Sequence, residues 1–284
     1  MKPLSNWPFD FDGKVPSVGE RPGFPVQLNP DKSYQFATKS VAAAASIASA
    51  TGQNDLKKLF QGGVSEGLGL DLAVRARMVR RLAEQGVRDA PVLAAMRAVE
   101  RHHFVDTAFA PMAYEDTSLP IGFGQTISKP NVVARMLELL QQGRVDASGK
   151  LGRVLEIGTG CGYQTAVLSH LASEVYSMER LRGLHHKARE NLRSLRLANV
   201  HLLFGDGMQG FAKGAPYAAI IAAAGGEAIP PAWIEQLALG GRLVAPLQDA
   251  SGAQALVVID KTAQGIRQTL LEAVHFVPLK SGVG

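Results

Sequence analysis

The sequence predicts an α/β fold built on a mostly parallel sheet, and three observations predict it. Strand-like apolar runs near 153–157, 174–178, 201–204 and 218–222 alternate with helical patterns near 163–172, 181–196 and 231–238. Such alternation implies parallel strands covered by helices on both faces. The first of these strands runs straight into a glycine-rich turn and then a helix, Arg153-Val-Leu-Glu-Ile-Gly-Thr-Gly-Cys-Gly-Tyr-Gln-Thr165. After a further strand near 242–246, the last apolar runs, 254–260 and 270–277, have no helix between them. They are expected to form an antiparallel hairpin at the end of the sheet.

Along the chain, residues 1–30 hold six of the fifteen prolines and show little periodicity. Residues 31–70 are rich in Ala, Ser and Gly. Together, residues 1–70 read as a largely disordered leader, with a short helix around 55–60. A domain is expected over 71–284, divided into N-terminal helices and a loop (71–141) and a sheet (152–280). Leu72, Val74, Met78, Val79, Leu82 and Val87 suggest an amphipathic helix that ends near Gly86. Pro91–Val99 opens with proline in a first-turn position and reads as a second helix. Thr117–Ser128, with two glycines and a proline, reads as a loop, and Pro130–Leu140 as a helix. No internal repeat is visible.

Composition narrows the function classes. Hydrophobic residues make up 46% of the 284, enough for a sizeable core. The net charge of +5 comes without a compact Lys/Arg run, so no nucleic-acid partner is expected. The densest basic stretch, 75–101, has seven arginines against Glu84, Asp89 and Glu100, and reads as a solvated face. The single cysteine, Cys161, excludes an internal disulfide and a cysteine-based zinc cluster. The histidine pairs 102–103 and 185–186 lack a third ligand at metal spacing, so no metal is expected. No apolar run approaches the ~20 residues that span a bilayer. Ala-rich Val41–Ala50 follows a long segment carrying Asp10, Asp12, Glu20 and Asp31, which argues against an export signal and for the cytoplasm. Nothing sets the oligomeric state; a monomer is the expectation.

Three motifs carry the chemistry. Gly158, Gly160 and Gly162 allow a tight turn and close approach of a ligand to the backbone. The following helix offers unpaired N–H groups. A dinucleotide site would want G-x-G-x-x-G; this loop is G-x-G-x-G, with Glu156 inside the strand before it. Glu174-Val-Tyr-Ser-Met-Glu179 is a second strand ending in an acid, about twenty residues on, where a parallel-sheet cofactor fold puts a carboxylate against ribose hydroxyls. Val200–Gly207 is a third strand, ending in Gly-Asp206-Gly207.

The E-x-G-x-G-x-G loop resembles the methyl-donor loop of class I methyltransferases, a Rossmann-like fold whose cofactor is S-adenosylmethionine. That resemblance implies cofactor contacts for Glu156, Gly158, Thr159, Gly160, Gly162, Glu179, Arg180, Asp206 and Gly207, with Asp206 near the adenine. Leu119-Pro-Ile-Gly-Phe-Gly-Gln-Thr-Ile-Ser128 is similar to the P-I-G-x-G-Q-T-I-S loop of protein-L-isoaspartate O-methyltransferases. The likeness covers roughly 71–280 and includes Arg101-His-His-Phe-Val-Asp106, Ala113-Tyr-Glu-Asp116 and Glu272-Ala-Val-His-Phe-Val-Pro-Leu279. It implies methyl transfer to the free α-carboxylate of L-isoaspartyl residues in damaged proteins, as the first step of repair through a succinimide. It also implies Ser128 as the active-site serine, with Ile121, Gln125, Thr126 and Val277 on the substrate side. A capping role for Ser128 on the helix at Pro130 stays open. Where the family reads F-D-A-I-I-V-T-A-A-P, this chain has Tyr217-Ala-Ala-Ile-Ile-Ala-Ala-Ala-Gly-Gly226. Ala218, Ala223 and Gly226 therefore put acceptor preference in doubt. A different carboxylate or small-molecule acceptor, or a non-catalytic cofactor-binding protein, remains as an alternative.

Overall fold

The computed structural model describes residues 64–143 and 146–284. The leader expected over 1–70 lies outside the described residues up to 63, as does the helix expected around 55–60. Residues 64–70 open a helix instead: α1 spans Val64–Glu84. Its C-terminal turn closes on Gly86, at φ 104°, with the Val87 N–H donating to the Leu82 carbonyl at 3.1 Å. Met78, Leu82 and Val87 are buried as expected, but Leu72 is half exposed. α2 spans Ala90–Ala98, with Asp89 accepting from the Val92 N–H at 2.9 Å as its cap.

The segment expected as a loop over Thr117–Ser128 contains a β-hairpin. β1 (Leu119–Gly122) and β2 (Gln125–Ile127) pair antiparallel, Leu119 opposite Ile127. Leu119, Ile121 and Ile127 are buried, the inward half of a strand alternation too short to show against Gly and Pro. The two-residue turn is Phe123-Gly124, with φ of 55° and 68°. Both values positive is the twist that suits a tight hairpin. α3 (Pro130–Gln141) follows.

Beyond it runs the sheet: β3 (Leu151–Ile157), α4 (Tyr163–Leu171), β4 (Ala172–Glu179), α5 (Arg182–Arg193), β5 (Val200–Phe204), β6 (Tyr217–Ala222), α6 (Pro231–Gln236), β7 (Leu237–Gln248), β8 (Gln254–Thr262) and β9 (Gly265–Val274). The strand order is β5-β4-β3-β6-β7-β8-β9. β5 to β7 are joined by parallel pairings, whereas β7–β8 and β8–β9 are both antiparallel. The expected hairpin is thus the outer part of a three-stranded meander. β9 also starts earlier than expected and ends at Val274, before the Val277 region.

Side chains alternate across this sheet. Val154, Ala219, Ile221, Val244, Leu256 and Val258 join one core with α2, α3 and α4. Leu155, Ile157, Ile220, Ala222, Leu243, Val257 and Ile259 join the other with Trp233. Burial on both faces is why the strands read as unbroken apolar runs. The chain leaves β3 toward β4 and β5, then returns to the other side of β3 for β6. That reversal opens a crevice at the carboxyl ends of β3 and β6.

The turn at this crevice depends on Gly162, which sits at φ 91° as the residue before α4. A Cβ there would stand 2.9 Å from Leu192 Cδ1 on α5. We expect Gly162→Ala to cost about 1–2 kcal/mol for the left-handed backbone, read as a fall of several degrees in Tm. An unchanged Tm would show that the turn has an alternative conformation of equal energy.

Candidate active site

The crevice deepens into a cavity of about 410 Å³, in the range of pockets for small-molecule cofactors. Its floor is the carboxyl ends of β3, β4 and β6. The hairpin β1–β2 forms one wall and residues 277–280 form another. Eleven of the sequence-predicted residues stand on it: Ile121, Gln125, Thr126, Ser128, Gly158, Thr159, Gly160, Glu179, Arg180, Gly207 and Val277.

The floor is assembled by backbone bonds that the glycines permit. The Gly158 N–H donates to the Met178 carbonyl at 2.8 Å, and that of Thr159 to the same carbonyl at 3.2 Å. The Thr159 hydroxyl meets the Ser177 hydroxyl at 2.7 Å. Glu179 ends β4, nearly buried, and accepts from two backbone groups: Gly160 N–H on Oε2 and Leu181 N–H on Oε1, each at 2.9 Å. Each oxygen keeps a second lone pair for a ligand hydroxyl.

Three expected ligand residues are not on the wall. Glu156 is fully buried beneath it, accepting from Gln164 Nε2 at 3.0 Å, Thr165 Oγ1 at 2.5 Å and Ser177 Oγ at 2.6 Å. Its carboxylate fastens the first turn of α4 to β4. Gly162 packs against α5, as above. Asp206 accepts from the Met208 N–H at 2.9 Å and from the Gly282 N–H at 2.7 Å, so its carboxylate holds the C-terminal segment. Arg180, though on the wall, donates from Nε to the Gly282 carbonyl at 2.9 Å.

On the hairpin side, Ser128 is half-buried, and among the described residues its hydroxyl makes no hydrogen bond. The capping role left open for it falls elsewhere. The residue before α3 is Lys129, and the Asn131 N–H is taken by Asp116 Oδ1 at 2.9 Å. The hairpin is held toward α5 by Lys187, whose Nζ donates to the Ile121 carbonyl and pairs with Asp106, both at 3.0 Å.

Other wall residues are not among the site residues expected from the sequence. Phe123 at the hairpin tip covers Gly183 so closely that a Cβ there would meet its ring. Ala223 faces Gly158, and Leu279 and Lys280 come from the C-terminal segment. Burial pushes the Cys161 thiol up to about 11 and the Tyr163 hydroxyl up to about 12, so both stay neutral near pH 7. The metal expectation needs one correction among the described residues. Glu100 joins His102 and His103, with ligand atoms within 4.8 Å of one another. Glu100 already pairs with Arg75 at 3.1 Å and His103 at 2.8 Å, and His102 Nδ1 with the Tyr114 hydroxyl at 2.7 Å. None of the three lines the cavity.

Burial pushes the Glu156 carboxyl from 4.5 up to about 7, against the three hydrogen bonds that favour its ionised form. A folded-state value above the unfolded one gives stability that is complete below about pH 4.5. That stability is lost as pH rises through about 7. Relative to Glu156→Gln, the wild type is expected to lose about 3 kcal/mol across that window. Urea midpoints of both proteins from pH 4 to 8 check this, and parallel profiles would refute it.

Comparison with known proteins agrees with this geometry. The family model for protein-L-isoaspartate(D-aspartate) O-methyltransferase matches residues 73–284. The protein-L-isoaspartate O-methyltransferase of Methylibium petroleiphilum (strain ATCC BAA-1232 / LMG 22953 / PM1) is 56% identical over 271 residues, covering 94% of this chain and 99% of its own. That of Leptothrix cholodnii (strain ATCC 51168 / LMG 8142 / SP-6) is 60% identical over 219 residues, covering 76% and 77%. A solved protein-L-isoaspartate O-methyltransferase structure superposes with a TM-score of 0.66 at 27% identity, covering 74% of this chain and 67% of the other. With the matched region spanning the hairpin, the glycine loop and the C-terminal segment, the chain belongs to the protein-L-isoaspartate O-methyltransferase family.

Proposed function

We propose that this protein transfers the methyl group of S-adenosylmethionine to the free α-carboxylate of L-isoaspartyl residues in damaged proteins. The observation that carries the proposal is the sharing of one cavity. Glu179 and the glycine loop stand on its floor, and Ser128, whose hydroxyl makes no hydrogen bond among the described residues, stands on its hairpin wall.

The floor fits the cofactor. Glu179 has an acceptor lone pair left on each oxygen for the ribose hydroxyls, and Gly158 and Gly160 let the ligand approach the backbone. Ile157 and Met178 give apolar surface beside them. S-adenosylmethionine, when bound, supplies an electrophilic methyl on a sulfonium.

The chain's own task is then mostly orientation. An acceptor carboxylate is already ionised at pH 7, with a reference value near 4. No general base is required, and the neutral Cys161 and Tyr163 on the wall supply none. Ser128 donates to one carboxylate oxygen and holds the other in line with the methyl. The hairpin and residues 277–280 narrow the cavity and exclude water. Ala223, where the family carries a threonine, removes a hydroxyl from this wall. It supports a second reading in which the acceptor is another carboxylate.

The cytoplasm is the proposed location, supported by the acidic residues before the Ala-rich stretch. No helix among the described residues is long and apolar enough to cross a membrane. We propose a monomer acting on protein substrates, not on nucleic acid.

Methyl transfer from labelled S-adenosylmethionine to one peptide in isoaspartyl and aspartyl forms tests the function. Ester is expected only on the isoaspartyl form. Ser128→Ala is expected to lower kcat/KM by on the order of 10–100-fold, the size of a lost hydrogen bond to a charged group. Transfer to neither form, with the cofactor still bound, would move the function to a different acceptor.

A further inference from the structure

Arg101 has no part in the chemistry described so far. It lies in the arginine-rich stretch that the sequence places on a solvated face, yet it is 0% exposed. Among the described residues no carboxylate lies within ion-pair distance of it. Its Nε donates to the Ala113 carbonyl at 2.8 Å, and its Nη2 to the carbonyls of Ser128 at 2.8 Å and Thr117 at 3.4 Å. Its Nη1 is buried with no hydrogen-bond partner among the described residues. The guanidinium lies over the Tyr163 ring, 4.8 Å from its centroid.

Two features of this arrangement stand out. Thr117 and Ser128 flank the hairpin β1–β2, so Nη2 joins the two ends of the hairpin and closes its base. Ser128 and Tyr163 are both cavity-wall residues, so the guanidinium stands directly behind that wall. A buried charge paired only with neutral carbonyls is costly. A guanidinium does not shed its proton to relieve that cost. Asp116 acts on the guanidinium only from beyond ion-pair distance, so the corner still has room for the closer negative charge that the acceptor would bring.

We propose that Arg101 is the positioning and specificity-determining residue of the acceptor subsite. It fixes Ser128 through its carbonyl, and its buried charge makes the subsite select an ionised carboxylate over an uncharged group of the same shape. The inference rests on the function proposed above.

The test uses the full chain loaded with S-adenosylhomocysteine. Calorimetry measures its affinity for an isoaspartyl peptide and for the same peptide with the α-carboxylate converted to the amide. Wild type is expected to prefer the carboxylate. In Arg101→Gln that preference should fall by on the order of 10–100-fold, the scale of one charge acting through a few ångströms of protein. Affinity for the amide peptide and for S-adenosylhomocysteine should stay within about threefold, the margin that separates a local effect from misfolding. Arg101→Lys keeps the charge but not the fork of donors. It should keep the preference and lose kcat. Equal weakening toward both peptides in Arg101→Gln would overturn the proposal and leave a purely structural arginine.

Ser128→Ala serves where the arginine variants do not fold. It removes the hydroxyl's hydrogen bond to the acceptor but keeps the carbonyl that Arg101 holds, so the preference should fall by no more than that bond and a clear remainder should survive. Its complete loss would assign selectivity to the hydroxyl and overturn the role of Arg101. Wild type that binds S-adenosylhomocysteine but shows no preference and no methylation would overturn the functional reading, and this inference with it.

Discussion

The Glu179 carboxylate is the constraint on which the site depends. One oxygen holds the Gly160 N–H and the other the Leu181 N–H. A single side chain thereby fixes the tip of the glycine loop and the entry to α5 to the end of β4. Without it, the loop would keep the Gly158 and Thr159 bonds to the Met178 carbonyl, the Thr159–Ser177 hydroxyl contact and the Asn191 amide on the Cys161 carbonyl, but nothing among these holds Gly160 at its tip. Glu156 does for the underside what Glu179 does for the cavity face. It gathers Gln164, Thr165 and Ser177, so α4 starts at a fixed height above the sheet. Two acids therefore divide the work. One stays dry and structural, and the other keeps spare lone pairs at the surface of a cavity.

The opposite wall is fixed by different means. A hairpin this short gains little from its own pairing. Its base is closed by Arg101 across Thr117 and Ser128, its flank by Lys187 on the Ile121 carbonyl, and its tip by Phe123 lying on Gly183. Phe123 holds a positive φ of 55°, uncommon for a bulky residue. The neighbouring structure must hold that conformation, and Gly183 permits it because no Cβ separates ring from helix. The hairpin is thus carried by long side chains from the 3-10 turn at Arg101–Phe104 and from α5, and its placement relative to the floor follows from them.

The sheet and most of the cavity were legible in the sequence because their signals are local. Two-sided burial makes β3, β4 and β6 continuous apolar runs, and glycine spacing marks the loop. What failed to show was direction. The family resemblance placed Glu156, Gly162 and Asp206 among ligand residues, but a matching motif does not say which way a side chain points. Glu156 precedes Ile157, a cavity residue, and strand alternation turns it away from Ile157's side of the sheet. Asp206 lies beside Gly207 on the wall but turns to the Gly282 N–H, a contact 76 residues away. The hairpin read as a loop because its strands have four and three residues, and its turn relies on a phenylalanine rather than Asn-Gly. Charge counting failed at Arg75 and Arg101, both buried, while Arg77, Arg80, Arg88 and Arg97 are exposed as expected.

Those two arginines show how differently burial of charge is resolved in one region. Arg75 has a counter-ion, Glu100, at 3.1 Å, and its role ends with packing α1 against the turn after α2. Arg101, one residue after Glu100, contacts carbonyl dipoles and an aromatic face among the described residues, with the Asp116 carboxylate farther off. Carbonyl oxygens and a ring supply partial negative charge, and Asp116 acts from beyond ion-pair distance, which orients the guanidinium but leaves it without a contacting counter-ion. A fold selected for stability alone would place a carboxylate or an apolar side chain there, since either lowers the desolvation cost. Retaining a net positive charge behind Ser128 and Tyr163 makes physical sense where the cavity must receive an anion. The cost is then borne by the free protein and relieved when the acceptor arrives.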